Sequence, residues 1–304
     1  MMTGSIFLTG GTGFFGKSIL SMLKRGFGGD LALTILSRDP AKFLADNPGF
    51  DGLPKVKFIS GDVRDFPFPE QTFDRIIHAA APATLMPPGV ERDIILNGTR
   101  RVLDFAERCH AGRILFVSSG AVYGPQPPEL EGIPEDFPCR PVTEYGIAKL
   151  EAERMCLDTG IDCVIARCFA FTGPYLNRNI HFAIGNFIRD CLAHRDIEIK
   201  GDGTPFRSYL YADDLVRWLF KILFDGQPGR PYNVGSDRAV SIRELAETVR
   251  RALHSDSRII VRGTPVPGRP PMRYVPDITR IRRELDAEIE TGLEEAIRKS
   301  VSAV

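Results

Sequence analysis

The stretch GGTGFFG, residues 10–16, decides the fold because it joins a strand pattern to a helix pattern. Residues 5–9 before it are apolar enough for a short buried strand, and residues 17–23 after it carry apolar side chains at helical spacing. A strand, a glycine turn and a helix in this order hold a dinucleotide pyrophosphate, because the N–H groups and positive dipole end of the helix face the anion. A glycine-rich surface turn is the alternative, but a position at the first strand–helix junction favours the dinucleotide site.

Three glycines of the motif have different expected roles. We expect Gly10 to permit the tight turn, Gly13 to let the phosphates approach the backbone, and Gly16 to let the helix pack close to the strand. The predicted coenzyme contacts in this stretch are Gly10, Thr12, Gly13, Phe14, Phe15 and Gly16.

Bulk composition excludes several classes of protein. The 304 residues balance 39 Lys+Arg against 39 Asp+Glu, so no net charge attracts nucleic acid or an acidic membrane. No apolar run approaches the roughly 20 residues that span a bilayer, and the first strand begins without a signal-peptide layout. The 6 cysteines lack CxxC spacing and the 5 histidines lack HxxH or HExxH spacing, so we expect reduced, mostly buried thiols and no metal site. These features predict a cytoplasmic protein that binds neither nucleic acid nor membrane.

Strand and helix patterns alternate through the first half of the chain. Near-continuous apolar strands joined by helices indicate a parallel sheet covered on both faces, so we predict a Rossmann-type, doubly wound α/β fold. The helix patterns between and after these strands cover 90–109, 143–158 and about 182–193. The strand patterns cover 5–9, 31–36, 56–59, 75–79, 113–117, 163–167 and 231–234.

The alternating pattern loosens after residue 173, which indicates a second lobe. We predict a dinucleotide-binding domain made of residues 1–173 plus about 206–237. A smaller, discontinuous C-terminal substrate-binding lobe is predicted from about 174–205 plus 238–304.

The end of the second strand distinguishes NAD from NADP, because an acidic residue there normally holds the ribose 2′-hydroxyl. Ser37 and Arg38 occupy that place, and Arg38 would bind a 2′-phosphate as a charged fork. A solvated surface arginine is the alternative. We expect NADP in preference to NAD, with both residues among the coenzyme contacts.

Two further strand ends are predicted to contact the coenzyme. Asp62 and Val63 follow the third strand and would bind the adenine, unless the aspartate caps the next turn. Small side chains at the end of the fourth strand leave room for the coenzyme, or alternatively serve helix–sheet packing. They are Ala79, Ala80 and Ala81.

Tyr145 and Lys149 lie four residues apart, so they share one face of a helix. A lysine ammonium near a phenol favours the phenolate, and we therefore expect the pKa of Tyr145 to fall below its usual value of about 10. Tyr145 would then be an acid and base near neutral pH. Ser119, just past the fifth strand, is expected to hold a substrate oxygen beside Tyr145, whereas Ser118 is expected to cap a turn.

Motifs spread over nearly the whole chain occur in the order of one known family. The chain resembles the extended short-chain dehydrogenases/reductases, and among them the nucleotide-sugar epimerase/dehydratase family. The resemblance implies a nucleotide-sugar substrate and a nicotinamide coenzyme. The matching segments are TGGTGFFG (9–16), GDVRD (61–65), HAAA (78–81), NGT (97–99), SSGAVYG (118–124), YGIAK (145–149), RCFAFTGP (167–174) and RSYLYADDL (207–215).

The resemblance implies roles for individual residues. Ser119, Tyr145 and Lys149 would be the catalytic group. Tyr145 would exchange a proton with a sugar hydroxyl, and Lys149 would also hold the nicotinamide ribose. Asn97 would brace the central helices and belongs to the implied coenzyme site. By the same resemblance, the predicted helices at 90–109 and 143–158 would pair with those of a second copy across a twofold axis, so we expect a homodimer.

The substrate side of the site both matches the family and departs from it. By resemblance, Arg207 would grip the sugar-nucleotide diphosphate as a bidentate fork, assisted by Arg269. The 4,6-dehydratases of the family carry acidic residues directly after the catalytic Ser or Thr, where this chain has Gly120 and Ala121, which cannot move protons. The implied substrate contacts are Ser119, Gly120, Ala121, Arg207 and Arg269.

Several functions follow from these observations. We expect first an NADP-linked 4-ketoreductase acting on an NDP-4-keto-6-deoxyhexose, because of Arg38 and the missing dehydratase acids. An epimerase that oxidises and re-reduces C4 with retained NAD comes next. A third possibility is a dehydratase whose acid and base lie elsewhere, for example at Cys168 or His181. A catalytically silent NADP-binding module remains as an alternative, and the complete catalytic set argues against it.

Overall fold

A computed structural model of the chain describes residues 2–82, 86–87, 89–180 and 182–302. The strands, in chain order, are β1 Thr3–Thr9, β2 Asp30–Ser37, β3 Val56–Ser60, β4 Arg75–His78, β5 Arg113–Ser119, β6 Cys163–Cys168, β7 Phe171–Thr172, β8 Ile197–Ile199, β9 Phe206–Arg207, β10 Leu210–Tyr211, β11 Pro231–Val234, β12 Val240–Ser241, β13 Ile259–Val261 and β14 Arg273–Tyr274. The helices are α1 Phe14–Lys24, α2 Pro40–Asp46, α3 Val90–Arg108, α4 Glu144–Leu157, α5 Ala183–Leu192, α6 Ala212–Asp225, α7 Ile242–Ala252, α8 Thr279–Leu285 and α9 Leu293–Ser302. Short 3-10 helices cover Pro48–Phe50 and Gly120–Tyr123.

The glycine motif forms the turn between β1 and α1. Gly10 adopts a φ of +76°, and an added Cβ there would lie 2.5 Å from the carbonyl group of Ala79. An added Cβ at Gly16 would lie 2.1 Å from the backbone of Gly11. The tight turn and the close approach of α1 to this turn therefore both require glycine.

The described residues form a seven-stranded sheet in the order β3-β2-β1-β4-β5-β6-β11. The pairings that join β3, β2, β1, β4, β5 and β6 are parallel. Because β1 lies between β2 and β4, the strand order reverses there, and ligands bind at the carboxyl ends of strands beside such a reversal. The Rossmann-type sheet predicted from the sequence is confirmed, including its last strand at Pro231–Val234.

An apolar core fixes α3 and α4 to the sheet. Phe7 of β1 packs edge-on against Phe105 of α3, with ring centroids 4.8 Å apart. Val102 of α3 and Ala148 of α4 are fully buried in the same core. Because full burial of a large apolar side chain contributes about 1.5–3 kcal/mol, this core holds α4 firmly where its polar residues face the strand ends.

The chain divides into two compact units. The first comprises residues 1–124, 139–168 and 216–232. The second comprises residues 125–138, 169–215 and 233–304. The sequence analysis assigned 125–138, 169–173, 206–215 and 233–237, which belong to the second unit, to the dinucleotide-binding domain. Which unit binds coenzyme and which binds substrate stays a prediction.

The second unit has its own core and small sheets. Its helices α5 and α7 pack together around buried side chains that include Phe187 and Val249, and β8 pairs with β13 in parallel. The segment 125–138 is fastened within this unit, because the Gln126 side chain accepts a hydrogen bond from the Val275 N–H at 2.9 Å. The strands β12, β9 and β14 form a further small sheet, which carries Arg207.

Candidate active site

The structure brings Ser119, Tyr145 and Lys149 together. Ser119 is the last residue of β5, and the other two residues lie in the first turns of α4. The Ser119 hydroxyl donates a hydrogen bond to the Tyr145 phenol oxygen, and the Lys149 Nζ lies 5.9 Å from the centroid of the Tyr145 ring. A phenol, a hydroxyl and an ammonium group therefore share one site at the carboxyl end of the sheet.

Burial sets the protonation of Tyr145 and Lys149. It raises the pKa of Tyr145 to about 12, and the hydrogen bond from Ser119 lowers this pKa only in part. The prediction that Lys149 brings the pKa of Tyr145 below its usual value is wrong, because burial dominates and the lysine Nζ donates to the Val117 carbonyl at 2.9 Å. Burial also lowers the pKa of Lys149 to about 8. Tyr145 is therefore protonated at neutral pH.

The first turn of α4 holds Tyr145 close to Ser119, at the end of β5. The Thr143 hydroxyl caps the helix by accepting a hydrogen bond from the Gly146 N–H at 3.1 Å. An added Cβ at Gly146 would lie 2.6 Å from the Ala121 carbonyl oxygen, so the close approach requires glycine. Sequence reasoning missed both residues, although a threonine before Glu144 and a glycine within YGIAK were the available signals.

A buried polar network adjoins the three residues. Arg167 of β6 forms a two-pronged ion pair with Glu153 of α4, with Nε 3.1 Å from Oε1 and Nη2 2.8 Å from Oε2. The exposed fractions of the two side chains are 8% and 2%. Ser118 donates a hydrogen bond to Glu153, and Arg167 Nη1 donates to the Tyr123 hydroxyl at 3.1 Å. The prediction that Ser118 caps a turn is therefore wrong, because its hydroxyl binds a carboxylate of α4.

The turn before α1 fits a dinucleotide pyrophosphate. Gly13, the N-cap residue of α1, is exposed, and no side chain of this fully described turn caps the helix. The first turn also carries no acidic residue, so no carboxylate from it competes with a bound anion for the dipole end. An added Cβ at Gly13 would meet only the Gly10 carbonyl oxygen, at 3.5 Å. Thr12, Phe14 and Phe15 are half-buried around this opening.

The ends of β2 and β3 lie side by side. Ser37 is buried, and Arg38 is exposed. The Asp62 carboxylate accepts hydrogen bonds from the Arg64 backbone N–H at 3.1 Å and from its Nε at 2.8 Å, and these bonds lower the pKa of Asp62. Asp62 thus caps the turn after β3, the alternative that the sequence left open. Val63 packs against α3, and contacts of these four predicted residues with a coenzyme stay predictions.

A chain of hydrogen bonds anchors the small residues after β4. The Thr99 hydroxyl donates to the Ile95 carbonyl at 2.6 Å, so it accepts from His78 Nε2 at 3.1 Å. His78 Nδ1 then accepts from the Thr9 hydroxyl at 2.7 Å, and that hydroxyl accepts from the Ala80 N–H at 3.2 Å. Burial lowers the pKa of His78 to about 3, so the ring stays neutral. The segment that this chain fixes is Ala79, Ala80 and Ala81, all half-buried.

Asn97 departs from its expected role. It is exposed on α3, donates to Asp93 and accepts from Arg100 Nη1 at 2.7 Å. Both partners belong to the same helix, so the expectation that Asn97 braces the central helices is wrong. Its contact with a coenzyme stays a prediction.

The implied substrate contacts occur in both units. In the first unit, Gly120 is buried, and the Ala121 N–H donates to the Ser119 hydroxyl at 3.2 Å. In the second unit, Arg207 is half-buried in β9 and donates from Nη1 to the Phe206 carbonyl at 2.8 Å, while Arg269 is exposed. Their contact with a substrate stays a prediction.

Cys168 and His181 are the acid–base residues that the sequence offered for a dehydratase. Cys168 ends β6, and burial raises the pKa of its thiol, so it stays protonated and is a poor base. His181 lies outside the described residues.

Among the residues that the structure describes, no group of three or more His, Cys, Asp or Glu side chains is arranged to hold a metal ion. Within the same residues, no helix has the length and apolar character needed to cross a bilayer.

The chain is similar to known nucleotide-sugar enzymes. Residues 6–235 match the NAD dependent epimerase/dehydratase family. The chain is 28% identical over 315 residues to a dTDP-glucose 4,6-dehydratase of Streptomyces griseus, covering 99% of this chain and 94% of that protein. It is 30% identical over 309 residues to UDP-glucuronic acid decarboxylase 6 of Arabidopsis thaliana, covering 96% of this chain and 86% of that protein. Its fold matches the crystal structure of the dTDP-glucose 4,6-dehydratase DesIV of Streptomyces venezuelae, which has NAD bound, with a TM-score of 0.82, 25% identity and coverage of 97% and 95%.

Proposed function

This chain belongs to the NAD-dependent epimerase/dehydratase family, and we propose that it is an epimerase that inverts C4 of a nucleotide-activated sugar. The observation that carries the proposal is the grouping of Ser119, Tyr145 and Lys149 beside Gly120 and Ala121, which bear no carboxyl group. Oxidation and re-reduction of one carbon require a group that takes and returns the proton of one hydroxyl. The three residues provide such a group without a further acid.

Tyr145 carries the proton in this proposal. In the reducing direction its protonated phenol, with a pKa raised to about 12, donates to the sugar oxygen. In the oxidising direction the hydrogen bond from Ser119 favours the phenolate that accepts the proton. A bound nicotinamide coenzyme would supply the reversible transfer of a hydride from and to C4, and its oxidised ring would add a positive charge that favours the same phenolate.

The coenzyme would lie along the ends of β1, β2 and β4. The exposed, uncapped backbone at Gly13 suits the pyrophosphate, and the turn at Gly10 leaves no room for a side chain. Lys149 would hold the nicotinamide ribose. We propose NADP as the preferred coenzyme, because Arg38 at the end of β2 is exposed and suits a 2′-phosphate.

A sugar nucleotide brings a diphosphate that needs cationic partners. Arg207 and Arg269 of the second unit are the proposed partners, and a planar guanidinium binds phosphate oxygens in pairs. The relatives described above are named for dTDP-glucose and UDP-glucuronic acid. We propose that the substrate of this chain belongs to the same class of nucleotide sugars.

Loss of water is less well supported than epimerisation. The resemblance to the 4,6-dehydratases implies acidic residues directly after the catalytic hydroxyl, where Gly120 and Ala121 stand. Cys168 does not replace them, because its buried thiol stays protonated. The two relatives named above are a dehydratase and a decarboxylase, so this chain would differ from them in chemistry while sharing their fold.

A 4-ketoreductase is the second candidate, and the exposed Arg38 favours it, since reductive enzymes draw on NADPH. The family that the chain matches is described as one of epimerases and dehydratases, without reductases, so we place this function below epimerisation.

One experiment separates these reactions. The protein is incubated with dTDP-glucose, UDP-glucose and UDP-glucuronic acid, each with NAD and with NADP, and separately with a 4-keto sugar nucleotide and NADPH. The products are identified by mass spectrometry and NMR, and reduced coenzyme is followed by its absorbance. The proposal predicts a C4 epimer of unchanged mass with no net change in reduced coenzyme. Loss of water, loss of carbon dioxide, or steady consumption of NADPH with a 4-keto sugar nucleotide contradicts it. The Tyr145→Phe variant is the control, and retention of full activity by it would remove the shared mechanism.

We also propose a homodimer formed through α3 and α4. These helices expose apolar side chains that a second copy would cover, namely Val90, Ile147 and Leu157. Light scattering that gives a monomer at micromolar concentration would contradict the pairing. A cytoplasmic location stays a prediction from the sequence.

A further inference from the structure

One buried ion pair adjoins the candidate site without taking part in the chemistry proposed above. Glu153 lies one helical turn beyond Lys149 on α4, and Arg167 lies beside Ser118 in the parallel register of β5 and β6. Removing two opposite charges from water is costly, and replacing such a pair by apolar side chains of similar size is often neutral or stabilising. Stability alone therefore gives no reason for charges at these positions.

The network formed by Ser118, Tyr123, Glu153 and Arg167 connects the elements that carry the candidate catalytic groups. Ser118 precedes Ser119 on β5 and donates to the Glu153 carboxylate. Glu153 lies on the helix of Tyr145 and Lys149. The Arg167 guanidinium joins that carboxylate, at 2.8 Å from Nη2, to the Tyr123 hydroxyl, at 3.1 Å from Nη1. Tyr123 ends the 3-10 helix that follows Ser119.

The geometry of this network is suited to holding β5, α4 and β6 at fixed distances from one another. A guanidinium fork and a carboxylate pair in one plane, so each holds the other in direction as well as distance. Ser118, the residue next to Ser119, donates a further hydrogen bond to the same carboxylate. Satisfied polar networks in a low-dielectric interior are rigid and specific in structure.

We infer that Glu153 and Arg167 are positioning residues that hold the Ser119 hydroxyl in place against Tyr145 and Lys149. The kinetic consequence of this inference rests on the proposed function, whereas its geometric consequence does not. A displacement of about 1 Å between reacting groups costs about 100-fold in rate, so the network would act on kcat and leave substrate binding nearly unchanged.

The test replaces the ion pair by apolar side chains in the double variant Glu153→Leu/Arg167→Met. This change removes both charges of the pair together, so the variant is expected to fold with a melting temperature near that of the wild type. We expect kcat for the nucleotide sugar to fall about 100-fold with KM near the wild-type value. A crystal structure is expected to show the Ser119 hydroxyl displaced by more than about 0.5 Å from its wild-type position relative to Tyr145.

A matched control removes a different ion pair of the same strand. Arg113 at the start of β5 pairs with Asp162 at 2.6 Å, at the opposite end from Ser119. The double variant Arg113→Met/Asp162→Leu is expected to keep kcat. A Glu153→Leu/Arg167→Met protein with wild-type kcat and an unmoved Ser119 hydroxyl overturns the inference.

A smaller change keeps the inference testable if that double variant does not fold. Ser118→Ala removes only the bond between β5 and the network, and it is expected to lower kcat and to shift Ser119 in the crystal. An unchanged kcat and position in Ser118→Ala also overturn the inference. If the wild-type protein turns over no nucleotide sugar, the proposed function fails, and the crystal structures of the variants still decide the positioning claim.

Discussion

Burial controls how the ionisable side chains of the candidate site titrate. Lys149 is almost fully buried, and its pKa falls to about 8 because the charged amine is removed from water. The same cause raises the pKa of Tyr145 to about 12. Burial therefore favours the neutral form of both side chains. Keeping Lys149 charged inside the protein lowers the free energy of unfolding.

The stability of the protein should rise with pH through the titration of Lys149. Its folded-state pKa of about 8 lies below its usual 10.5, so the unfolded chain binds more protons between these values. Relative to Lys149→Met, the wild-type protein should gain up to about 3 kcal/mol in unfolding free energy across that interval. Urea denaturation of both proteins at a series of pH values measures the difference. If the unfolding free energy of the wild type minus that of the variant stays constant or falls as the pH rises, the burial effect is contradicted.

Arg38 should decide the preference between NADP and NAD. A charge-assisted hydrogen bond contributes about 1.5–3 kcal/mol, so Arg38→Ala should raise the Kd for NADP about tenfold to 100-fold and leave the Kd for NAD nearly unchanged. Lys42→Ala, at an exposed residue of α2 that pairs with Asp46, is the control. Calorimetric titration gives both constants, and equal losses for the two coenzymes would remove Arg38 from the 2′-phosphate site.

At the scale of elements, α4 should depend on its glycine more than on any side chain of its first turn. An added Cβ at Gly146 would lie 2.6 Å from the Ala121 carbonyl oxygen, whereas one at Gly160 would meet nothing within 4 Å. Gly146→Ala should therefore cost about 1–3 kcal/mol and push Tyr145 away from Ser119, with a loss of kcat. Gly160→Ala should stay within about 0.5 kcal/mol of wild type. Thermal denaturation and kinetics test the pair, and equal behaviour of the two variants would contradict the close packing.

The elements of the parallel sheet were predictable because each central strand is buried on both faces. Such strands are near-continuous apolar runs, so the pattern at 163–167 led to the strand Cys163–Cys168, and the pattern at 231–234 gave the full strand. The helix patterns at 90–109 and 143–158 were correct within one residue at each end. The proximity of Tyr145 and Lys149 was predictable as well, because residues four apart share one face of a helix, while their catalytic role stays a prediction.

The buried network was not predictable from the sequence. Its polar side chains come from β5, α4, β6 and the 3-10 helix, and only the fold brings them together. Ser118 and Glu153 alone look like an ordinary turn residue and an ordinary helix residue. The pKa of Tyr145 was predicted in the wrong direction for a related reason, because the spacing of Tyr145 and Lys149 gives their proximity and says nothing about burial.

At the scale of the whole molecule, similarity and chemistry diverge. The chain matches a dehydratase and a decarboxylase over most of its length, but the positions after Ser119 hold Gly120 and Ala121. A fold of this kind supports several reactions, and the residues of the site decide among them. The site offers one phenol with its serine and lysine neighbours, the set that the proposed epimerisation at one sugar carbon requires.

The most direct test uses nucleotide sugars that carry deuterium at C4. After incubation with the protein and its preferred coenzyme, NMR and mass spectrometry locate the label in the product. We expect a C4 epimer of unchanged mass with the deuterium still on C4 and none in the solvent. A product that lacks water or carbon dioxide, or label lost to solvent, would contradict it.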